Sequence, residues 1–399
     1  MGIDFFDIDK LSSLLKNDDH ENQNDNIKPE IDSSFSFAGL TSTKQEEIDK
    51  KDSLLDQAIS LKQDDKYKVE YQDFSETQKS ILNEFDEKSW KCGTGYEAPN
   101  FPIWSEKMEG LSNGFYIFAG FSNAGKSALV MNLAYDYAQH EPNHLHFLYF
   151  TLDDTAQMVI PRFISMKKSI PISAAAKPQR YQNLIDADDE YSDLYTGYLE
   201  KRQEALNELK DFNHMLIQEH SKVECAEKML NTAKMYKTYL RTTDPDANLI
   251  VVIDSLMDIN VDSAYDRDEK ERNTRISRMM KDWADNQLEC PIFGTAHLRK
   301  NTGRRPVISD LKESGRYEYD ATAVFLVSND VSRSGQNAEI YYESPEDDEK
   351  HPILEILWAK NKASSFKERT YCYFAPNYSR AIECNAEITK QFDEKIYSI

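Results

Sequence analysis

The chain has 399 residues, long enough for a sizeable buried core, and its 70 Asp and Glu outnumber 48 Lys and Arg for a formal charge of −22. Such an acidic chain is a poor general polyanion binder, so any contact with nucleic acid must be made by a local basic patch. Five dispersed cysteines (Cys92, Cys225, Cys290, Cys372, Cys384) without a Cys-x-x-Cys pair exclude a zinc site or a disulfide framework and predict reduced thiols in the cytoplasm. No apolar run is long enough to cross a membrane, so no membrane partner is expected. Residues 1–66 read as an acidic, mostly disordered arm, rich in Asp, Asn, Gln, Ser and Lys from 17 onward. Residues 1–100 carry 23 acids and 12 bases, half of the chain's excess negative charge. Within the arm, Ile3, Phe5, Phe6, Ile8, Leu11, Leu14 and Leu15 form one apolar helical face over 3–15. It is either a frayed terminus or a tethered peptide that docks on a partner or a neighbouring subunit. Residues 67–94 predict a linker helix around Tyr71, Phe74, Ile81, Leu82 and Phe85.

From 95 to 399 the pattern is α/β. Strand-like runs stand at 115–119, 145–152, 249–253, 291–296, 323–327 and 353–359. Helical patterns separate several of them, as parallel crossovers require. The charged stretch 186–240, with Leu194, Leu199, Leu206, Leu209, Met215 and Leu216 as apolar markers, reads as a helical layer of the same domain.

Residues 120–127, Gly-Phe-Ser-Asn-Ala-Gly-Lys-Ser, form a complete G-x-x-x-x-G-K-[ST] phosphate loop. Phe115-Tyr116-Ile117-Phe118-Ala119 precedes it as a buried strand, and an apolar-periodic helix begins at Ala128. Gly120 and Gly125 let the backbone curl around phosphates, and Ser122, Asn123, Ala124 and Ala128 complete the cradle of amides. Lys126 reaches the β and γ oxygens, and Ser127 holds Mg²⁺. The loop needs an acidic partner at a strand end, and Leu249-Ile250-Val251-Val252-Ile253-Asp254 supplies one; Asp254 orders the water shell of the Mg²⁺. Asp153, after the second strand, is placed to polarise an attacking water. Between His297 and Arg316 the bases Arg299, Lys300, Arg304, Arg305, Lys312 and Arg316 face only Asp310 and Glu313 as acids, a local footprint for a polyanion.

These residues carry a family resemblance. Arg305-Pro306-Val307-Ile308-Ser309-Asp310-Leu311-Lys312-Glu313-Ser314-Gly315, followed by Glu318, Asp320 and Ala321, resembles the segment R-P-x-x-S-D-L-R-E-S-G-x-I-E-Q-D-A-D of DnaB-like replicative helicases. That hexameric RecA-fold superfamily includes the T-odd phage primase-helicases, and the similarity spans roughly residues 95–385. The resemblance implies a RecA-like P-loop NTPase core, a mostly parallel twisted sheet flanked by helices, that uses ATP and Mg²⁺. It implies a ring, a hexamer, that moves along single-stranded DNA and unwinds forked duplex DNA. Lys312, Glu313 and Gly315 are then loop contacts to the strand, with Arg299, Lys300, Arg304 and Arg305 around them. His297 stands where the family has a phosphate-sensing Gln or His. Lys360 and Lys362 stand where a Lys-x-Arg pair reaches the neighbouring subunit's nucleotide.

The sequence departs from the family at two of these places. Asp153 is one methylene shorter than the family's Glu, and a misplacement of about an ångström can cost about a hundredfold in rate. Lys362 replaces an Arg whose planar fork matches a phosphate in transfer, a group worth about 10³–10⁵ in turnover; Arg369 lies nearby in sequence. A third departure is architectural: an acidic arm stands where bacterial DnaB has a dimerising helical N-terminal domain or a primase module would stand, so ring assembly is expected to depend on the motor domain and a linker helix. A primase, polymerase or loader is the expected partner of the N-terminal segment. The alternative is a RecA-like ATPase scaffold or recombination mediator that binds single strands without unwinding.

Overall fold

Phe115, Ile117 and Ala119 alternate with Tyr116 and Phe118, and the two sets enter different hydrophobic clusters on opposite sides of one sheet. A strand apolar on both faces must be covered on both, and that requirement organises the chain. The structure, a computed structural model, describes residues 74–92, 95–187, 190–210, 215–221, 225–261, 268–299, 304–311, 315–343 and 349–397. The predicted arm over 1–66, its segment 3–15 and residues 67–73 lie outside the described residues.

The chain divides into two units, residues 1–85 and 86–399. The described part of the first is the opening of helix α1 (Phe74–Cys92), whose Ile81, Leu82 and Phe85 are exposed. In the second, helix α2 (Pro102–Met108) precedes strand β1 (Gly114–Gly120), which runs through the phosphate loop into helix α3 (Lys126–Gln139). Strand β2 (Leu145–Thr151) leads to α4 (Ala156–Lys168) and, after two short helices, α5 (Ser192–Lys210). Strand β3 (Met215–Glu219), helix α6 (Ala226–Leu240), strand β4 (Asn248–Asp254) and helix α7 (Glu269–Asp282) follow. Then come β5 (Pro291–His297), the short helix α8 (Gly315–Asp320) and β6 (Ala323–Asn329). The chain ends in β7 (Tyr341–Glu343), β8 (Lys350–Asn361), β9 (Arg369–Ala375), β10 (Arg380–Glu383) and helix α9 (Ala386–Tyr397).

Among the described residues these strands form one sheet. Strands β6, β1, β5, β4, β2 and β3 are parallel in that order, and β8, β9 and β10 continue antiparallel beyond β6, with β7 paired to β8. The RecA-like arrangement expected from the sequence is therefore present, with β1 between β5 and β6. Helix α3 covers one face through Leu129, Val130, Leu133, Ala134 and Tyr137, all buried. On that face Trp104 of α2 locks against Phe325 and Trp358, with ring centroids 4.5 and 4.7 Å apart. Such aromatic contacts are worth about 0.5–1.5 kcal/mol each beyond area burial.

One expectation is corrected. The stretch 186–240 is not uniformly helical: Met215 and Leu216 open β3, which pairs with β2 from Phe147↔Met215 to Thr151↔Glu219. Five residues at a sheet edge are too few to show a clear period, and their strand character comes from the partner β2.

Candidate nucleotide and nucleic-acid site

The parallel strands end on one edge of the sheet, where open α/β folds place ligands. Gly120, Thr151, Asp254 and His297 close β1, β2, β4 and β5 there, and the register sets Gly120 beside His297 on one side and Val327 on the other. A Cβ at Gly120 would stand 2.5 Å from the Val327 carbonyl, so only glycine lets the loop leave β1 here. Gly125 has φ +92° and caps α3, and Asn123 adopts φ +61°. In the loop Ser122 and Asn123 are exposed and Ala124 is buried, while Ser127 and Ala128, half-buried, follow Lys126 in the first turn of the helix.

Lys126 is 6 % exposed, and its amine donates to the carbonyl of Phe121 within its own loop at 2.9 Å. Burial lowers its pKa, opposed by the nearby Asp254 and Asp153 carboxylates. Asp254 accepts from the Tyr149 hydroxyl at 2.6 Å and from Thr295 Oγ1 at 2.5 Å. Burial and the Asp254 charge raise the Tyr149 phenol well above its usual value, so it remains a donor. The backbone N–H groups of Leu152 and Asp153 both donate to the Asp254 carbonyl, at 2.7 and 3.3 Å, which ties the end of β2 to the end of β4. Asp153 is exposed; partial desolvation and the carboxylates of Asp258 and Asp154 raise its pKa. Asp154 is held by Arg162 of α4, Nη1 to Oδ2 at 2.6 Å. His297 is half-buried, and burial and Lys126 lower its pKa, which keeps the imidazole neutral near pH 7. Lys126, Asp153, Asp254 and His297 therefore form one electrostatic cluster, which Asp258 joins.

The donor set fits a nucleotide with Mg²⁺. The glycine-shaped loop leaves room for phosphate oxygens, while a serine hydroxyl and a carboxylate are the hard oxygen ligands that Mg²⁺ takes alongside water and phosphate. Among the described residues no group of three or more His, Cys, Asp or Glu is arranged to hold a metal, so a cation here would rest on few protein ligands. Next to the loop, a cavity of about 230 Å³ is lined by Phe121, Ser122, Ala124, Arg304, Ser328, Asn329, Ser332 and Arg333.

The basic strip begins two residues after His297. Arg299 is exposed, and its backbone N–H donates to the Asp310 carbonyl at 2.9 Å. Arg304 pairs with Asp310 at 2.5 Å, and Arg305 is turned inward onto Glu355, Nε to Oε2 at 2.8 Å. Gly315 opens α8; Lys300, Lys312 and Glu313 lie outside the described residues. Lys360 and Lys362 sit at the other end of the sheet. Lys360 pairs with Val324, and Val324 pairs with Ile117 three residues before Gly120, roughly 10 Å along the strand. The Lys360 amine donates to the carbonyls of Glu318, Tyr319 (3.1 Å) and Ala321 (2.7 Å), and Lys362 also donates to Tyr319 at 3.2 Å. Burial and the adjacent Lys362 push the Lys360 amine down to about 8.

With this geometry in place, the family model of the DnaB-like helicase C-terminal domain matches residues 99–381. The chain belongs to that family. It is 24 % identical over 280 residues to a probable replicative DNA helicase of Trieres chinensis, covering 64 % of this chain and 53 % of the relative. It is 24 % identical over 256 residues to the replicative DNA helicase DnaB of Mycoplasma pneumoniae, covering 58 % of this chain and 49 % of the relative. The chain thus spans about half the length of the curated relatives it matches. Among solved structures, one of an ATPase domain superposes with a TM-score of 0.60 at 18 % identity, over 79 % of this chain and all of that one. A structure of a DnaB-like replicative helicase and its interactions with primase superposes with a TM-score of 0.60 at 19 % identity, over 87 % of this chain and 76 % of that one. At these identities the two show the DnaB-like fold.

Several residues of this DnaB-like site were not legible in the sequence. Tyr149 and Thr295 lie inside apolar strands, and only the register turns their hydroxyls into partners of Asp254. The pair Ser328-Asn329 that closes β6 was a usable signal for the cavity beside the loop, because polar residues seldom end a buried strand without a task.

Proposed function

We propose that this chain is the motor of an ATP-dependent replicative DNA helicase that assembles as a ring, six-membered as in the family it resembles, and acts in the cytoplasm. Residues 95–399 form the motor, 67–94 a linker helix and 1–66 an acidic arm. The observation that carries the reading is the continuity of β5: His297 joins the cluster of Lys126, Asp153 and Asp254, and the basic strip starts two residues later.

In this reading Gly120, Ser122, Asn123, Ala124, Gly125 and Ala128 cradle the phosphates, and Lys126 leaves the Phe121 carbonyl to take the β and γ oxygens. Ser127 and Asp254 would hold Mg²⁺, which when bound would supply positive charge to the phosphates. Asp153 orients the water, with Asp154 kept out of that role by Arg162. The cavity bounded by Asn329 and Arg333 receives the ribose or base. His297 senses the γ-phosphate and passes the difference to Arg299, Lys300, Lys312, Glu313 and Gly315 on single-stranded DNA, with Arg304 and Arg305 bracing the strip. Lys360 and Lys362 serve the neighbour's nucleotide. A primase, polymerase or loader engages the N-terminal segment.

The test is unwinding of a forked duplex by Lys126→Ala. The variant is expected to keep its fold and lose ATP-driven strand separation; normal unwinding by it would overturn the site. DNA-stimulated hydrolysis without strand separation by the unaltered chain would leave an ATPase that is not a helicase.

A further inference from the structure

Asp254 is clamped from both sides. Its Oδ2 accepts the Tyr149 phenol at 2.6 Å from β2, and its Oδ1 accepts the Thr295 hydroxyl at 2.5 Å from β5. These are the two strands that flank β4. Both donors are buried, Tyr149 at 1 % and Thr295 at 0 % exposure. We propose that Tyr149 and Thr295 are positioning residues that fix the Asp254 carboxylate for the Mg²⁺ of bound nucleotide.

The argument is one of geometry and charge. A carboxylate offers about four acceptor sites on two oxygens, and one hydroxyl on each leaves the others for a hydrated cation in a fixed orientation. A Lys or Arg partner would hold the group equally well but cancel the charge that attracts the cation; neutral hydroxyls hold it and leave the charge. Outer partners of this kind orient metal-site ligands and typically matter by about 10–100-fold in metal affinity. Both residues stand outside the phosphate loop, and the carboxylate is the acceptor that each hydroxyl finds among the described residues. The inference rests on the reading of Asp254 given above and adds to it which residues set its pose.

The experiment measures equilibrium binding of a fluorescent ATP analogue to the full chain while Mg²⁺ is titrated. Tyr149→Phe removes one oxygen and is expected to raise the half-saturating Mg²⁺ concentration by about 10–100-fold, with binding in EDTA unchanged. Tyr371→Phe is the control. It strips an equally buried phenol from a carboxylate, Tyr371 to Asp393 at 2.6 Å, on the antiparallel side of the sheet, and should leave the Mg²⁺ midpoint alone. Should Tyr149→Phe fold poorly, Thr295→Val against Thr295→Ser decides: the valine shifts the midpoint and the serine restores it. An unshifted midpoint in both Tyr149→Phe and Thr295→Val overturns the proposal. Asp254→Asn separates the two levels. If it shifts the midpoint while the hydroxyl variants do not, only the positioning claim falls; if it too has no effect, the metal role of Asp254 falls with it.

Discussion

The side-chain amine of Lys360 donates to the backbone carbonyl of Ala321 at 2.7 Å, and through this bond β8 holds the chain that leaves α8. The same amine takes the carbonyls of Glu318 and Tyr319, so one cation closes the C-terminal end of the helix that follows the basic strip. Within one chain this amine is engaged at the end of α8 and not at the phosphate loop, so the role proposed for it at a neighbour's nucleotide is one to test in trans. Lys360→Ala is expected to lower DNA-stimulated hydrolysis. Mixing it with Lys126→Ala should restore part of the rate, because one interface then combines an intact Lys126 with an intact Lys360 from the adjoining subunit. Absence of any recovery on mixing would place Lys360 outside a shared site.

Asp153 and Asp154 are adjacent but differently engaged. Asp154 is paired with Arg162, whereas Asp153 faces the cluster of Lys126, Asp254 and His297. Asp153→Asn should therefore lower single-turnover hydrolysis by about 10²-fold or more, and Asp153→Glu should hold or raise it. Asp154→Asn should leave the chemical step nearly unchanged. A large loss in Asp154→Asn with little in Asp153→Asn would reverse the assignment.

Arg305 and Arg299 belong to one basic strip but to different physics. Arg305 is bonded to Glu355, whose side chain is 2 % exposed, so Arg305→Ala leaves a buried carboxylate without its cation and should cost about 3–5 kcal/mol in stability. Arg299 is exposed, and Arg299→Ala should weaken single-strand binding with the log–log salt slope reduced by about 0.7. Chemical denaturation and salt-dependent anisotropy separate the two. Equal losses of DNA affinity with no change in stability for Arg305→Ala would contradict this division.

Glu383 supplies a pH test away from the site. Its carboxylate accepts the backbone N–H groups of Ile103 at 2.7 Å and Trp104 at 2.8 Å, yet burial pushes its pKa up from 4.5 to about 7. The folded chain therefore keeps this proton over a range where the unfolded chain has released it. Stability from this group falls as pH rises from about 4.5 to about 7, by at most about 3 kcal/mol. Glu383→Gln should flatten the pH dependence of the denaturation midpoint in that window; an identical slope in both proteins would show that the group does not titrate there.

Much of this DnaB-like chain is decided locally. The phosphate loop is eight consecutive residues, and Gly120, Gly125 and Lys126 take their conformation from the strand and helix on either side. The six apolar runs read as strands are strands, and Asp254 does close one of them, because side-chain period and turn chemistry act over a few residues. The tertiary structure alone decided the partners. Met215–Glu219 became a strand because β2 offered an edge. Tyr149 and Thr295 reached Asp254 because β2 and β5 lie on either side of β4 in one register. Arg305 turned inward to a glutamate 50 positions later, and Lys360 met the end of a helix 41 positions earlier. Contacts of that span depend on how strands align across a sheet, and no window of sequence a few residues wide contains that information.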